Sequence, residues 1–272
     1  MSVKHSKTPI APLFVPGSRK DRFDKAAASG ADAVILDLED AVAPEDKEAA
    51  RTAVATHGIK NIAVYVRVNA RSSKYFEADL AALRDTPLSG IMLAKAQKAS
   101  EIQAVHQFLG RSVPVIPLVE TAAAFKDLAA LLDAPDILQA AFGSLDFALD
   151  LGCQPSWDAL SYARGQLVLA SRLAGLPAPL DGVTSTINDS AVVSSDAKKA
   201  SDLGFGGKLA IHPRQVAGIL DAFHPDERAI AWALEVIAVS ESGTVGQVDG
   251  KMVDRPVIEL ARKIMDRVPT GR

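Results

Sequence analysis

The chain has 272 residues, of which 48% are apolar, and its formal net charge at pH 7 is −3. This length and apolar content suit one large α/β domain, while the small net charge argues against bulk electrostatic binding to nucleic acid or to a membrane surface. The only cysteine, Cys153, excludes an internal disulfide and a thiolate metal cluster. The amino-terminal stretch lacks the long apolar segment and small-residue cleavage site of a secretory signal, so we expect a cytoplasmic protein.

Short apolar runs alternate with helix-like segments from residue 13 to residue 223. The expected strands are Leu13–Pro16, Ala33–Asp37, Ala63–Val68, Gly90–Ala94, Val115–Val119, Ile137–Phe142, Pro179–Val183 and Gly207–Ile211. The expected helices are Asp21–Ser29, Pro44–Thr56, Tyr75–Arg84, Ser100–Leu109, Ala122–Leu132, Ser156–Leu173, Ser194–Leu203 and Arg214–Phe223. Eight such repeats predict a TIM (β/α)8 barrel rather than an open sheet. No Gly-x-Gly-x-x-Gly follows the first strand, which weakens the case for a dinucleotide fold.

The remaining residues exceed what the barrel needs. We expect a helix at Pro225–Ser242, a Gly-rich mobile turn at Ser242–Gly250 and a helix at Lys251–Val268. A tail of this size is too small for us to expect an independent hydrophobic core. We therefore predict a barrel domain at 1–224 and a C-terminal helical extension at 225–272, docked onto its own barrel or onto a neighbouring subunit.

Six apolar runs end in, or are followed by, a charged or hydrogen-bonding residue. These residues are Asp37, Arg67, Lys95, Glu120, Asp146 and His212. The carboxyl ends of parallel barrel strands meet at one mouth, where the active sites of such barrels lie. The sequence therefore predicts an enzyme with its site at this mouth.

Glu120 and Asp146 are the expected metal ligands. Two carboxylates, completed by water and substrate oxygens, are a usual way of holding Mg²⁺, because this ion resists full dehydration. The alternative is structural, with Glu120 capping a helix at Thr121 and Asp146 capping one at Phe147.

Arg67 is the expected substrate-binding cation, because a guanidinium can hold a carboxylate through two parallel hydrogen bonds. The alternative is a structural ion pair with Glu39 or Asp40. The acidic run LDLEDA contains both, together with Asp37. Asp40 alone could be a helix cap, and a role for the run near the metal or Arg67 is the other interpretation.

Lys95 could bind an anion or form a Schiff base, which requires a lowered pKa, although a solvated or paired lysine is commoner. His212 could be a general base, but we favour a histidine bonded to backbone. Asp150 and Asp181 are interpreted as cap or turn residues.

An aromatic residue and two cations lie within or close to the segment PGSRKDR. Phe14, Arg19 and Lys25 could together grip a phosphorylated nucleotide. Taken alone, the pattern also fits a core phenylalanine beside a solvated face.

Several segments in this order resemble the citrate lyase β-subunit-like family, within the HpcH/HpaI superfamily that includes malyl-CoA and citramalyl-CoA lyases. The segments are LFVPGSRKDRFDKA, GADAVILDLEDAVAPEDK, VRVN, PLVETAAAF, FGSLDFALDLG, GFGGKLAIHPRQ and GKMVDRPVIELARKI. The resemblance implies a TIM-barrel, Mg²⁺-dependent lyase that breaks or forms a carbon–carbon bond next to a CoA thioester, with glyoxylate, pyruvate or oxaloacetate as the keto acid.

The resemblance also implies roles for individual residues and an assembly. Its metal ligands fall on Glu120 and Asp146, and its substrate-carboxylate arginine on Arg67. Its acid/base aspartate, which enters a neighbouring subunit's site, falls on Asp254. Its CoA contacts fall on Phe14, Arg19 and Lys25. A homotrimer or a dimer of trimers is the expected assembly, and we add Asp37 to the catalytic set and Lys95 to the substrate-binding set.

Three departures from the family pattern leave the substrate open. Ala94 stands where many relatives have Pro, Ala124 where many have Gly, and Lys20 where Pro is frequent. Two other functions stay possible at this point. One is a metal-dependent class II aldolase acting on free 2-keto acids, and the other is a citrate lyase β subunit acting on an acyl-carrier protein.

Overall fold

The computed structural model describes residues 8–241 and 247–268. The chain forms two compact units, Met1–Ile219 and Leu220–Arg272. None of the helices within the described ranges is long and apolar enough to cross a membrane.

The first unit is built on eight parallel strands that pair in sequence order, each with the next along the chain. The strands are β1 (Leu13–Pro16), β2 (Ala33–Asp37), β3 (Ala63–Val68), β4 (Gly90–Leu93), β5 (Val115–Val119), β6 (Ala141–Phe142), β7 (Leu180–Asp181) and β8 (Gly207–Lys208). This curled α/β sheet confirms the predicted parallel arrangement and fits a TIM-like barrel.

Strand β1 also makes backbone hydrogen bonds on the side opposite β2. Leu13 forms a parallel bridge with Ala210, which follows β8, and the Phe14 N–H donates to the Ala210 carbonyl at 2.8 Å. The Lys208 N–H in turn donates to the carbonyl of Ile10 at 2.8 Å. The first strand is therefore hydrogen-bonded on both sides, to β2 and to the segment around β8.

Helices lie between the strands and follow the last one. They are α1 (Phe23–Ala27), α2 (Lys47–Ala55), α3 (Phe76–Ala82), α4 (Ala99–Leu109), α5 (Ala122–Lys126), α6 (Leu128–Leu132), α7 (Ser144–Leu151), α8 (Trp157–Leu173), α9 (Ser190–Leu203) and α10 (Pro213–Phe223). The predicted helix Ala122–Leu132 is two helices, because Asp127 leaves the helical region at φ −124° and ψ 31°. Helix α7 is not among the expected helices, and the sequence indicated it only through the alternative in which Asp146 caps a helix at Phe147.

Strand residues are buried on both faces of the sheet, which explains the continuous apolar runs. In β2, Ala33 and Ile35 belong to an inner cluster, while Val34 and Leu36 are equally buried on the opposite face. The inner cluster also contains Tyr65, Met92, Ile116, Leu118, Ala141, Leu180 and Leu209. Each large side chain buried in this way contributes about 1.5–3 kcal/mol. This core holds the strands in place, and with them the polar residues at the strand ends.

The second unit contains α11 (Glu227–Glu241), β9 (Gln247–Val248), β10 (Lys251–Met252) and α12 (Arg255–Met265). The two strands form an antiparallel hairpin, whose turn residues Asp249 and Gly250 have φ of 51° and 72°. Two left-handed residues in succession are typical of a type I′ turn, for which Asp-Gly is a preferred sequence. Part of the expected Gly-rich turn at Ser242–Gly250 thus belongs to a hairpin, and its residues 242–246 lie outside the described ranges. The last helix begins at Arg255, later than the predicted Lys251.

Candidate functional site

A cavity of about 300 Å³ lies at the carboxyl ends of the strands. It brings together five of the residues predicted from the sequence: Phe14, Asp37, Arg67, Glu120 and Asp146. These residues come from widely separated parts of the chain. Four of the six residues in the strand-end pattern, Asp37, Arg67, Glu120 and Asp146, thus line one cavity, whereas Lys95 and His212 line neighbouring ones.

Glu120 directly follows β5 and is 1% exposed. The backbone N–H of Lys95 donates to its Oε1 at 2.7 Å. A Cβ at Gly143 would overlap the Glu120 carboxylate, so only glycine leaves room for it. Burial, together with the negative charges of Asp146 and Glu39, raises the pKa of Glu120 to about 8, against the opposing effect of Arg67. A cation beside this carboxylate would stabilise its charged form and so lower the raised pKa.

Asp146 is held on a helix rather than on a strand end. Strand β6 ends at Phe142, and α7 begins at Ser144, so Asp146 is in the first turn. The alternative, in which Asp146 caps a helix at Phe147, is therefore wrong, because that helix starts three residues earlier. A carboxylate in the first turn is stabilised by the partial positive charge of the helix N-terminus.

Arg67 is held in place by Asp37. Its Nε and Nη2 donate to the two oxygens of Asp37, each at 2.6 Å, and its guanidinium lies 4.8 Å from the ring centre of Phe14. Burial alone would lower the pKa of Arg67, but the carboxylates of Asp37, Glu39 and Glu120 together outweigh it and raise that pKa. The ion pair considered from the sequence exists, with Asp37 as its main partner and Glu39 as a weaker one at 3.3 Å.

A buried lysine, Lys47, is hydrogen-bonded to the backbone of the acidic run. Lys47 Nζ donates to the carbonyls of Leu38 and Glu39 at 2.6 and 2.7 Å, and to Asn69 Oδ1 at 3.2 Å. Asn69 donates onward to the buried Asp79 at 2.6 Å. Sequence reasoning missed these residues, although Lys47 and Asn69 lie within the resemblance segments. The hydrogen bonds from Lys47 hold the backbone of the acidic run in place.

Lys95 is paired with the same run. Its Nζ donates to Glu39 Oε1 and, at 3.3 Å, to Asp40 Oδ2. Burial would lower the pKa of Lys95, but the hydrogen bond and charge of Glu39 outweigh it and raise the pKa. Schiff-base chemistry needs the opposite shift. The paired-lysine interpretation is confirmed, and the lysine lines a separate depression of about 460 Å³ beside Lys47 and Tyr75.

A second cavity, of about 450 Å³, lies beside the first. Its lining includes Phe14, Pro16, Arg19, Lys25 and His212. Phe14, Pro16 and Ile211 line both cavities, so they form a shared wall.

Two residues of this second cavity have local partners. Arg19 donates to both oxygens of Asp21, at 2.9 and 2.8 Å, in an exposed pair. His212 Nδ1 accepts from the backbone N–H of Arg214 at 3.2 Å, which is the backbone-bonded histidine that we favoured.

Three other aspartates behave differently from one another. Asp150 accepts from the Ala122 N–H at 2.6 Å, as a cap should. Asp181 is not a turn residue: it is fully buried, with Arg164 at 2.7 Å and Lys208 at 2.8 Å. Asp254, in the second unit, is the N-cap of α12 and accepts from Val257 N.

No group of three or more His, Cys, Asp or Glu side chains within residues 8–241 and 247–268 is arranged to hold a metal ion unaided. Glu120 and Asp146 supply two carboxylates at one cavity. Such a pair suits a hard cation that keeps water or substrate oxygens as its other ligands.

The profile of the HpcH/HpaI aldolase/citrate lyase family matches residues 11–213. The chain belongs to this family. Within the HpcH/HpaI family, a citrate lyase subunit beta-like protein of Deinococcus radiodurans is 38% identical over 274 aligned residues, covering 93% of this chain and 95% of the relative. The resemblance inferred from the sequence segments is thereby confirmed.

Other HpcH/HpaI relatives have named activities or ligands. An L-malyl-CoA/beta-methylmalyl-CoA lyase and a (3S)-malyl-CoA thioesterase of Cereibacter sphaeroides are 32% and 31% identical, each covering 93% of this chain and 92% of the relative. A crystal structure of CitE from Mycobacterium tuberculosis, in complex with magnesium, acetoacetate and coenzyme A, superposes with a TM-score of 0.86 at 33% identity. That match covers 96% of this chain and 98% of the other.

Proposed function

We propose that this protein is a Mg²⁺-dependent carbon–carbon lyase acting on the CoA thioester of a short hydroxy acid. The observation that carries the proposal is the convergence of Glu120, Asp146 and Arg67 on one cavity that shares a wall with a second, cation-lined one. The family membership, the lyase and thioesterase relatives and the ligands of the CitE structure support the same chemistry.

Glu120 and Asp146 are the proposed Mg²⁺ ligands. Their fit rests on the buried Glu120 carboxylate, whose pKa is raised to about 8, and on the bare backbone of Gly143 beside it. When bound, the ion supplies positive charge to the substrate's carboxylate and hydroxyl oxygens and lowers the pKa of the hydroxyl.

Arg67 is the proposed binding group for the substrate carboxylate. Asp37 occupies Nε and one N–H of Nη2, which fixes the plane of the guanidinium and leaves other N–H groups for a ligand. An acid/base group takes up the hydroxyl proton, and that oxygen becomes the new keto oxygen as the carbon–carbon bond breaks. The bonding electrons pass to the thioester unit as an enolate, and the acid/base group then returns the proton to the enolate carbon.

Asp254 of a neighbouring copy is the proposed acid, within a homotrimer or a dimer of trimers. This assignment is carried by the family resemblance of GKMVD, and in the single chain the carboxylate caps α12. We further infer that the sheet closes into a (β/α)8 barrel, supported by the hydrogen bonds between β1 and the segment around β8. The proposed catalytic domain is 1–224, and the extension is 225–272.

Product analysis tests the proposal. The protein is incubated with malyl-CoA or citramalyl-CoA and Mg²⁺, and the products are separated by liquid chromatography and mass spectrometry. We expect acetyl-CoA with glyoxylate or pyruvate, and no turnover in EDTA. Free CoA with the intact hydroxy acid would show a thioesterase instead, which is the activity named for one relative. Turnover of neither thioester, alongside cleavage of free hydroxy-keto acids, would show an aldolase.

Lys25→Ala tests the proposed CoA groove. Lys25 lines the second cavity, so its loss should raise KM for the thioester about fivefold, with kcat within about twofold, because an exposed cation contributes modestly to phosphate binding. Lys20→Ala is the matched control, since Lys20 is exposed and its Nζ donates to Thr56 Oγ1. Equal KM values for both variants and the wild type would remove the groove from the proposal.

A further inference from the structure

The carboxylate of Glu39 is shared by two cations. Its Oε1 accepts from Lys95 Nζ, and its Oε2 lies 3.3 Å from Arg67 Nη1. The bonds between Arg67 and Asp37 are much shorter, at 2.6 Å. Glu39 is 4% exposed, so water does little to screen its charge. Lys95 is therefore the close partner of Glu39, and Arg67 is the distant one.

The backbone of Lys95 adopts a conformation that side-chain-bearing residues seldom take. Its φ is 51°, in the left-handed region. Such a conformation persists only where the surroundings fix it. Here the backbone N–H is bonded to Glu120 at 2.7 Å, while the ammonium is bonded to Glu39 and Asp40. The residue thus joins the Glu120 side of the cavity to the acidic run.

We propose that Lys95 is a positioning residue that draws the charge of Glu39 away from Arg67 and so keeps Arg67 available for the substrate's carboxylate. This inference rests on the proposed function, in which Arg67 binds that carboxylate. It differs from the expectation that Lys95 itself contacts substrate, because Lys95 lines the depression beside Lys47 and Tyr75 rather than the Glu120 cavity, with Asp40 between the two.

The charge count explains why the arrangement matters. Arg67 and Lys95 carry two positive charges, and Asp37, Glu39 and Asp40 carry three negative ones, so the cluster has a net charge of −1. Without the ammonium, Arg67 would be the one cation among these carboxylates, in a cluster of net charge −2. An incoming anion would then meet repulsion, and Glu39 would compete for the N–H groups of Nη1.

A double-mutant cycle tests this inference. The variants are Lys95→Met, Glu39→Gln and their combination, and the measurement is the Kd of pyruvate at saturating Mg²⁺ by calorimetry. We expect Lys95→Met to weaken pyruvate about tenfold and Glu39→Gln alone to change Kd less than about threefold. The combination should return Kd to within about threefold of the wild type. Lys95→Arg, which keeps the charge, should bind pyruvate as the wild type does.

Additive effects in the cycle would overturn the inference, because they would mean that Lys95 acts on the anion independently of Glu39. The Kd of Mg²⁺ without pyruvate is the second measurement. It should be unchanged or lower in Lys95→Met, since a positive charge near Glu120 is lost. A weakened Mg²⁺ affinity would also overturn the inference, by showing general damage to the site.

The outcomes for the inference and for the proposed function are separable. Thioester turnover by the wild type with an additive cycle overturns the inference alone. Absence of turnover with a coupled cycle overturns the proposed function alone. A wild type that binds no pyruvate in the presence of Mg²⁺ overturns both.

Discussion

Glu120→Gln is expected to reduce kcat/KM for Mg²⁺-dependent thioester cleavage by about 1000-fold or more, and to stabilise the metal-free protein at pH 8. The loss follows because an amide lacks the charge that would hold the ion, and a 1000-fold effect corresponds to about 4 kcal/mol. Steady-state kinetics measures the first effect, and thermal unfolding in EDTA measures the second.

The gain in stability follows from the raised pKa. Burial, with the charges of Asp146 and Glu39, raises the pKa of Glu120 to about 8 in the folded protein. In the unfolded chain the same group deprotonates near its ordinary value of about 4.3. Between these values the folded state binds more protons, so the stability of the metal-free wild type falls as pH rises from about 4.3 to about 8, by at most about 5 kcal/mol. A glutamine does not titrate, so this loss should be absent from the variant.

Glu48→Gln provides the matched control, because it makes the same chemical change at an exposed position of α2. Its kinetics and its unfolding temperature at pH 8 should equal those of the wild type. A Glu120→Gln protein that keeps Mg²⁺-dependent turnover would remove Glu120 from the metal site. One that is less stable than the wild type at pH 8 without metal would contradict the raised pKa.

Asp37→Ala is expected to destabilise the protein by about 3–5 kcal/mol, the range found when one partner of a buried ion pair is removed. Asp37 is 1% exposed and accepts two bonds from Arg67, as well as the N–H groups of Glu39 and Ala41. Its removal leaves the guanidinium with the more distant Glu39 as its carboxylate partner at 3.3 Å. Urea unfolding followed by circular dichroism measures the change.

Asp21→Ala is the control for this prediction. Asp21 also receives a two-bond contact from an arginine, Arg19, but that pair is exposed to solvent, where ion pairs contribute little. The unfolding midpoint of this variant should not differ measurably from that of the wild type. Equal destabilisation by the two substitutions would show that burial of the Arg67 pair is not what makes it important.

The sequence predicted the sheet well because its strands are buried on both faces, which produces apolar runs such as AVILD. The last three strands are only two residues long, and their predicted ends were less accurate. The sequence indicated helix α7 only as an alternative, and with its start placed too late, because FGSLDFALDLG continues the apolar run of β6 without a strong cap. The Asp249–Gly250 turn carried a recognisable hairpin signal that was interpreted only as a Gly-rich turn.

The strand-end rule explains why the cavity residues could be anticipated, whereas their partners could not. Position at the end of a parallel strand is a local property of the sequence, so Arg67 and Glu120 could be named in advance. The pairing of Arg67 with Asp37, or of Lys208 with Asp181, depends on which side chains the fold brings together. Asp181 was misjudged for this reason, since nothing local indicates that two cations will surround it.

Under the proposed function, the wall formed by Phe14, Pro16 and Ile211 would limit the length of the acid that the protein accepts. The cavity on the Glu120 side holds about 300 Å³, room for roughly ten groups of the size of a water molecule. The proposed substrate, a four- or five-carbon hydroxy acid, would fill that space together with a metal ion, whereas a long acyl chain would not fit in it. If the thioester sulfur lies at the wall, the length of the acid is measured from there to Arg67, and chain-length selectivity follows from the position of one aromatic ring.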